Sequence, residues 1–267
     1  MGARNPLLAG LPLLFCGMAS LVPGAEPLPT SHACDEAIRA FVQSDPAAAL
    51  PNGGRMYCAP VAVSNSLMAI FADDFRREGI SHLDLVKVLA SDGYMYTDPE
   101  QGTKPGHILR GLQRFIRKRG VADFAVRFQG LRDHENEFGP GYHKPELRWI
   151  QSNIARGAGV WLNVGWYDFD AETGTYLRDK GHWLTAVGYG KDAAGKPDPE
   201  ILVVLDPRLA GRLHVKLSAL EKGTIEGASK SFVFPAEGVY QLKTGLPLKK
   251  GSDCALLDAV VVLRVGE

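Results

Sequence analysis

Residues 52–60 read NGGRMYCAP, and they lead without a break into the apolar run VAVSNSLMAIF at residues 61–71. The apolar positions recur at helical spacing, so this stretch predicts a buried helix with Cys58 at its start. A helix N-terminus lowers the pKa of a cysteine thiol and so favours the thiolate, which is the reactive form. Cys58 is therefore a candidate nucleophile. The amide of Asn52, six residues earlier, is a candidate donor to the oxyanion that forms on an attacked carbonyl.

Two downstream motifs offer the partners that a catalytic cysteine needs. Residues 181–189 read GHWLTAVGY and residues 201–207 read ILVVLDP, so His182 opens one predicted strand and Asp206 ends the next. A histidine beside the thiol takes and returns the proton, and a carboxylate holds the imidazole in one tautomer and one orientation. The order of these residue types therefore fits thiol catalysis.

Each of these residues also has a structural interpretation. His182 is alternatively a strand histidine whose ring bonds to a backbone carbonyl. Asp206 before Pro207 is typical of turn initiation, which is compatible with a catalytic role. Asn52 before two glycines is equally typical of a turn, and this alternative stays open.

The wider pattern predicts an α+β fold, because a run of helices is followed by a run of strands. The predicted helices span residues 35–43, 59–77, 81–90, 106–119 and 144–155. The predicted strands span residues 121–129, 159–166, 182–189, 201–205, 212–217 and 256–265. A boundary near Arg156 would divide the single domain at residues 26–267 into a helical lobe, at about 35–156, and an antiparallel sheet lobe, at about 157–267.

This division places the candidate active site in a cleft. Cys58 would lie on the helical lobe, with His182 and Asp206 on the sheet, so the reacting groups would meet where the lobes pack together. Tyr57 and Trp183, the neighbours of Cys58 and His182, are candidates for the walls of the substrate cleft. Packing in the hydrophobic core is the alternative for both.

In these motifs the chain resembles the papain-like cysteine peptidases, and most of all the branch of the bacteriocin-processing (double-glycine) peptidases, in a stand-alone secreted form. The resemblance covers roughly residues 52–208. It lies in CAP at residues 58–60, in the Gly-His and Gly-Tyr that bound residues 181–189, and in Asp-Pro at residues 206–207. It implies a papain-like fold and hydrolysis of a peptide or amide bond. The substrate of that branch does not carry over, because its members act within transporters and this sequence predicts no transporter segment.

The resemblance also implies a role for each site residue. Cys58 would attack as the thiolate, His182 would act as general base and then as general acid, and Asp206 would orient the imidazole. Asn52 stands where the family usually has glutamine, so its amide sits on a shorter arm. Two alternatives stay open: acyl transfer by the same residues, as in transglutaminase-like proteins, and a non-catalytic papain-like module whose cleft only binds.

Residues 1–25 have the order of a secretory signal peptide, with Arg4, then an apolar stretch over residues 6–22, then small residues before Ala25. We therefore expect a secreted or periplasmic protein, and no later stretch is long and apolar enough to span a membrane. The 30 basic residues balance 30 acidic residues, which gives no support for a nucleic acid or an anionic membrane surface as partner. The expected partner is a peptide or protein substrate.

The chain has four cysteines, and removal of the signal peptide with Cys16 would leave an odd number. In an oxidising compartment one thiol would then stay free. A bridge between Cys34 and Cys254 would join the termini and leave Cys58 reduced; a different pairing, or a buried inert Cys58, is the alternative. The HENE sequence at residues 134–137 lacks the second histidine of a zinc-protease helix, and no phosphate loop or dinucleotide motif is present, so we expect neither a metal nor a cofactor.

Overall fold

The structure is a computed structural model that describes residues 27–33, 37–227 and 232–266. Over these residues the chain is α+β, with five α-helices in its first part and one nine-stranded sheet that takes up most of the rest. The predicted fold class is therefore confirmed. The predicted signal peptide at residues 1–25 lies outside the described residues. In the part of the chain that is described, no helix is both long and apolar enough to cross a membrane.

Most predicted helices are present, with shifted ends. The helices are α1 (Cys58–Ile70), α2 (Ala72–Glu78), α3 (His82–Ala90), α4 (Pro105–Lys118) and α5 (Leu147–Ala155). A reciprocal capping box between Ser81 and Asp84 begins α3, because each group satisfies a backbone N–H that the helix leaves unpaired. The single helix predicted over residues 59–77 is wrong, since non-helical backbone at Phe71 divides it. The helix predicted over residues 35–43 is also wrong, since its described residues 37–43 form no helix.

The sheet contains every predicted strand and three short ones that were not predicted. Its strands are β1 (Phe124–Gly130), β2 (Gly159–Asp170), β3 (Thr175–Lys191), β4 (Pro197–Leu205), β5 (Arg212–Ala219), β6 (Thr224–Glu226), β7 (Val233–Pro235), β8 (Tyr240–Thr244) and β9 (Cys254–Val265). Six of them pair in a closed ring, in the order β2, β3, β4, β5, β8 and β9. The expected all-antiparallel sheet is corrected in one place, because β3 and β6 pair in parallel.

The predicted boundary near Arg156 does not separate helices from sheet, because β1 from the first part of the chain pairs with β9. One hydrophobic core lies between the helices and one face of the sheet, and it contains Trp161 and Trp183. A second core lies within the ring of strands, with residues of α5 packed against it. The two halves therefore share a core, and the sheet provides the surface on which α1 is fixed.

Buried hydrogen bonds attach α1 to the sheet and so position the residue at its start. The carbonyl of Ala62 on α1 accepts from Nε1 of Trp161 at 3.0 Å and from the hydroxyl of Thr185 at 2.6 Å. The amide of Asn65, one turn later, donates to the same hydroxyl at 3.2 Å. Because these groups are fully buried, loss of the Thr185 hydroxyl would leave the amide of Asn65 without a partner in the core. This network fixes the rotation of α1 against β2 and β3.

Candidate active site

Cys58 is the first residue of α1 and is half-buried beside the core between helices and sheet. No side chain caps this helix start, and the first N–H groups of a helix have no partner within the helix. The backbone N–H of Cys58 is therefore of the kind that can donate to a group bound in front of the thiol. The predicted position of the cysteine at a helix start is confirmed.

His182 lies on β3 and is buried. Its Nε2 atom is 2.7 Å from Oδ1 of Asp206, which leaves Nδ1 as the nitrogen available to the thiol of Cys58. Burial lowers the pKa of His182, but the interactions with Asp206 and with the thiol of Cys58 raise it further, to about 9 overall. The imidazole also stacks on Trp166, with the ring centres 6.0 Å apart. The structure therefore brings Cys58, His182 and Asp206 together, and at neutral pH the imidazole is positively charged.

Asp206 follows the last residue of β4 and is completely buried. Burial by itself would raise the pKa of this carboxyl, but hydrogen bonds from His182 and Arg208 hold the pKa well below its ordinary value. Arg208 donates to both oxygens, from its backbone N–H to Oδ1 at 2.8 Å and from Nη2 to Oδ2 at 2.7 Å. The carbonyl of Asp206 also accepts from the N–H of Leu209 at 2.9 Å, so the residue begins a turn as well.

Arg208 was not identified from the sequence. Its guanidinium bridges Asp206 and the carbonyl of Pro247, at 2.9 Å, and lies over the ring of Trp166 at 5.0 Å. The indole of Trp166 therefore packs against both His182 and Arg208. The only local signal is a cation two residues after the aspartate, which is too common to be diagnostic.

Gln43 is a second residue that sequence reasoning missed. It is buried, its backbone N–H donates to the carbonyl of Pro207 at 2.8 Å, and its side-chain amide donates to the carbonyl of Arg55 at 3.0 Å. The chain passes so close to Gly54 that a Cβ there would lie 1.7 Å from the backbone oxygen of Gln43. Gln43 thus connects the loop before Cys58 with the loop that follows Asp206.

Asn52 does not join the other three residues. Its side chain is exposed, and its amide donates to the carbonyl of Pro99 at 3.1 Å. The backbone of Asn52 is left-handed, with φ of 50°, a conformation that asparagine tolerates better than most residues. Among the described residues no hydrogen bond links Asn52 to Cys58 or His182. The structure therefore favours the turn interpretation over the oxyanion role.

Tyr57 and Trp183 are buried rather than exposed to a cleft. Tyr57 packs in a small core with Leu50 and Val61, and Trp183 packs in the larger core between helices and sheet. Their assignment as walls of a substrate cleft is corrected, because less than a tenth of each residue is exposed. Both support the backbone beside Cys58 and His182.

Cys254 is a buried free thiol on β9, and burial raises its pKa to about 11. Its predicted partner, Cys34, lies outside the described residues. The register places Cys254 opposite Tyr167 on β2, whereas His32 pairs with Tyr189 near the far end of β3. The described residues therefore give the bridge no support, and it stays a prediction.

No protein-family model matches this chain, and no curated protein matches it. Over the described residues no group of three or more histidine, cysteine, aspartate or glutamate side chains is placed to hold a metal ion.

Proposed function

We propose that the protein is an exported, papain-like cysteine hydrolase that cleaves a peptide or amide bond. The observation that carries the proposal is the grouping of thiol, imidazole and carboxylate, in which His182 lies 2.7 Å from Asp206 and the thiol of Cys58 is close enough to raise the pKa of the imidazole. A nucleophile beside a base that a third group orients is the arrangement that covalent acyl chemistry requires. The position of Cys58 at a helix start, packed against the sheet that carries His182, supports the papain-like relationship.

The resting state follows from the charges. With its pKa raised to about 9, His182 holds a proton at neutral pH and is ready to give it to a leaving group. Asp206 and Arg208 supply a second pair of opposite charges directly behind the imidazole. The charges of His182, Asp206 and Arg208 therefore alternate in sign, and the buried carboxylate has a cation on each side.

In acylation the thiolate of Cys58 attacks the carbonyl carbon and a C–S bond forms, while the carbonyl oxygen takes the negative charge. The backbone N–H of Cys58 is the available donor to that oxygen. The C–N bond then breaks as His182 gives its proton to the departing nitrogen, which leaves as the amine. The product on the protein is a thioester, and His182 is neutral.

In deacylation the neutral imidazole of His182 takes a proton from water, and the resulting hydroxide equivalent attacks the thioester carbon. The C–S bond breaks, the carboxylic acid leaves, and Cys58 and His182 return to the thiolate and imidazolium. Transfer of the acyl group to an amine would use the same steps, with the amine in place of water.

Covalent labelling tests the proposal directly. A thiol-directed alkylating probe at pH 7 should label Cys58 in the folded protein. Labelling at this site should be at least about 100-fold slower in His182→Ala. Cys254→Ser is the matched control and should label as the wild type does, because the thiol of Cys254 is buried.

A library of peptides, read by mass spectrometry, then separates the functions. Cleavage that is absent in Cys58→Ala supports hydrolysis, and incorporation of an added amine would identify acyl transfer instead. A Cys58 that reacts no faster than a free cysteine, with no turnover of any peptide, would refute the enzyme and leave a module that only binds.

A further inference from the structure

A cavity of about 500 Å³ lies where the start of α4 faces the segment after β1. His107 and Arg110 line it from α4, and Arg132, His134 and Glu135 line it from the segment after β1. None of these residues takes part in the site at Cys58. Three of these lining side chains have a buried atom without a hydrogen-bond partner in the described part of the fold.

One side of the sheet connects this cavity with the candidate active site. Gly181, next to His182, is exposed, and a Cβ there would lie 2.5 Å from a guanidinium nitrogen of Arg178. Arg178 in turn bonds to Asp258 at 2.6 Å. Asp258 and Arg178 both act electrostatically on Arg132, which lines the cavity. Because neighbouring strand residues face opposite sides of a sheet, this series of polar groups begins on the face opposite the imidazole of His182. It reaches the segment that lines the cavity where the N–H of Leu131 donates to the carbonyl of Asp258 at 2.9 Å.

A second connection starts at the loop that precedes Cys58. A Cβ added at Gly102 would be 3.5 Å from both the side chain and the backbone oxygen of Met56. The chain continues from Gly102 to Lys104 and Gly106, which line the cavity. The two connections therefore start beside Cys58 and beside His182, and they end at the same cavity.

Arg132 carries a positive charge that no carboxylate neutralises by direct contact. Arg178 and Tyr167 occupy the two oxygens of Asp258, at 2.6 and 2.7 Å, and Arg110 binds Glu135 at 2.8 Å. Among the described residues the guanidinium of Arg132 makes no hydrogen bond or ion pair. Burial, and the nearby charge of Arg178, lower the pKa of Arg132, so an anion bound here would relieve an unfavourable charge.

The cavity also contains hydrogen-bond acceptors without donors. Nδ1 of His134 is 3.0 Å from the carbonyl of Arg132, so in the neutral ring that nitrogen carries the hydrogen and Nε2 is an acceptor. Nε2 of His134 and Oε2 of Glu135 are both buried and have no partner.

We propose that this cavity binds a carboxylate of the peptide substrate and that Arg132 anchors it. The proposal rests on the proposed hydrolase. Three strand spacings separate β3 from β1, through β2 and β9, and at about 4.8 Å each they amount to roughly 14 Å. An extended peptide covers this distance in about four residues. The carboxylate therefore belongs to a residue about four positions from the scissile bond, either as a C-terminus or as an acidic side chain.

Binding to the Cys58→Ala protein tests the cavity without any need for turnover. A peptide that the wild type cleaves is made as two pairs. One pair ends in a C-terminal acid or a C-terminal amide four residues from the scissile bond, and the other pair has Glu or Gln at that position. If no peptide is cleaved, random peptides of these four forms are used. We expect at least one charged form to bind about 10- to 100-fold more tightly than its neutral counterpart, and the pair that shows the difference identifies the source of the carboxylate.

Substitutions then assign the preference to Arg132. Arg132→Met should abolish it, and Arg132→Lys should retain part of it, while thermal unfolding shows that both variants are folded. Arg127→Met is the matched control, because it removes the same charge from an exposed position on β1. Equal affinity for charged and neutral forms in the protein with Arg132 intact, or a preference that survives Arg132→Met, would overturn the proposal. Discrimination by a protein that cleaves nothing would instead refute only the hydrolase.

Discussion

Replacement of Asp206 by asparagine tests the charged pair at the centre of the candidate site. The carboxylate is completely buried and lies 2.7 Å from Nε2 of His182. In the fold the pKa of His182 changes from 6.5 to about 9, because burial lowers it and the interactions with Asp206 and Cys58 more than compensate. At ~1.4 kcal/mol per pKa unit, this rise stabilises the fold by roughly 3 kcal/mol, with Asp206 as the first contributor.

The direction of each pKa shift sets the pH window. His182 binds its proton more tightly in the folded chain, so its contribution is fully present below pH 6.5 and is lost as the pH rises through about 9. The pKa of Asp206 is lowered, so its contribution is present above its ordinary value of 3.8 and is lost as the pH falls below it. Both contributions are therefore present at about pH 6.

We expect Asp206→Asn to lower the free energy of unfolding by about 2–3 kcal/mol at pH 6 and by clearly less at pH 9. Urea unfolding, followed by tryptophan fluorescence at both pH values, measures the difference. Asp198→Asn is the control, since it makes the same change in the partly exposed pair with Lys216 and should have a small effect that is similar at both pH values. An equal loss for Asp206→Asn at pH 6 and pH 9 would refute the charged pair.

Three further predictions concern single residues. Asn52→Ala should cost roughly 1 kcal/mol of stability, because alanine tolerates a left-handed backbone poorly, whereas Asn52→Gly should not; labelling of Cys58 per folded molecule should stay unchanged in both. Gln43→Leu removes the hydrogen bond to the carbonyl of Arg55, so the loop before Cys58 would be misplaced. Labelling of Cys58 should then be about 10-fold slower in the folded protein and unchanged in the denatured protein. In protein that has first been reduced and freed of reductant, Cys254, with its pKa raised to about 11, should react with a disulfide reagent at pH 7 only in denaturant; reaction in the folded protein would contradict its burial.

Local patterns were sufficient where the structure is determined locally. The helix start at Cys58, the capping box at Ser81 and the strands around His182 and Asp206 all follow from periodicity and from residue types at their ends. The short strands β6, β7 and β8 were missed because each has five residues or fewer. Such strands depend on neighbours distant in sequence rather than on their own pattern.

Tertiary contacts decided the elements that were predicted wrongly. Residues 37–43 have a helix-like spacing, but Ile38 and Ala40 instead pack on Val187, Val203 and Leu205 at the pairing of β3 with β4. Asn52 was proposed from its distance along the chain to Cys58, and its left-handed backbone directs the amide to Pro99 instead. The distance along the chain between Asn52 and Cys58 predicts that the two residues are neighbours, but the backbone conformation of Asn52 determines where its amide points.

Arg208 has a role in the proposed cycle that the resting structure alone does not require. When His182 gives its proton to the departing amine, the imidazole becomes neutral, and a buried Asp206 paired with His182 alone would be an isolated anion. Such a charge is costly, and a buried carboxyl without a cation tends to take up a proton. Because Arg208 donates to both oxygens of Asp206 in the structure, the carboxylate has a second cationic partner and would stay ionised in each step of the proposed cycle. It therefore continues to accept from Nε2 of His182 and keeps Nδ1 directed at Cys58.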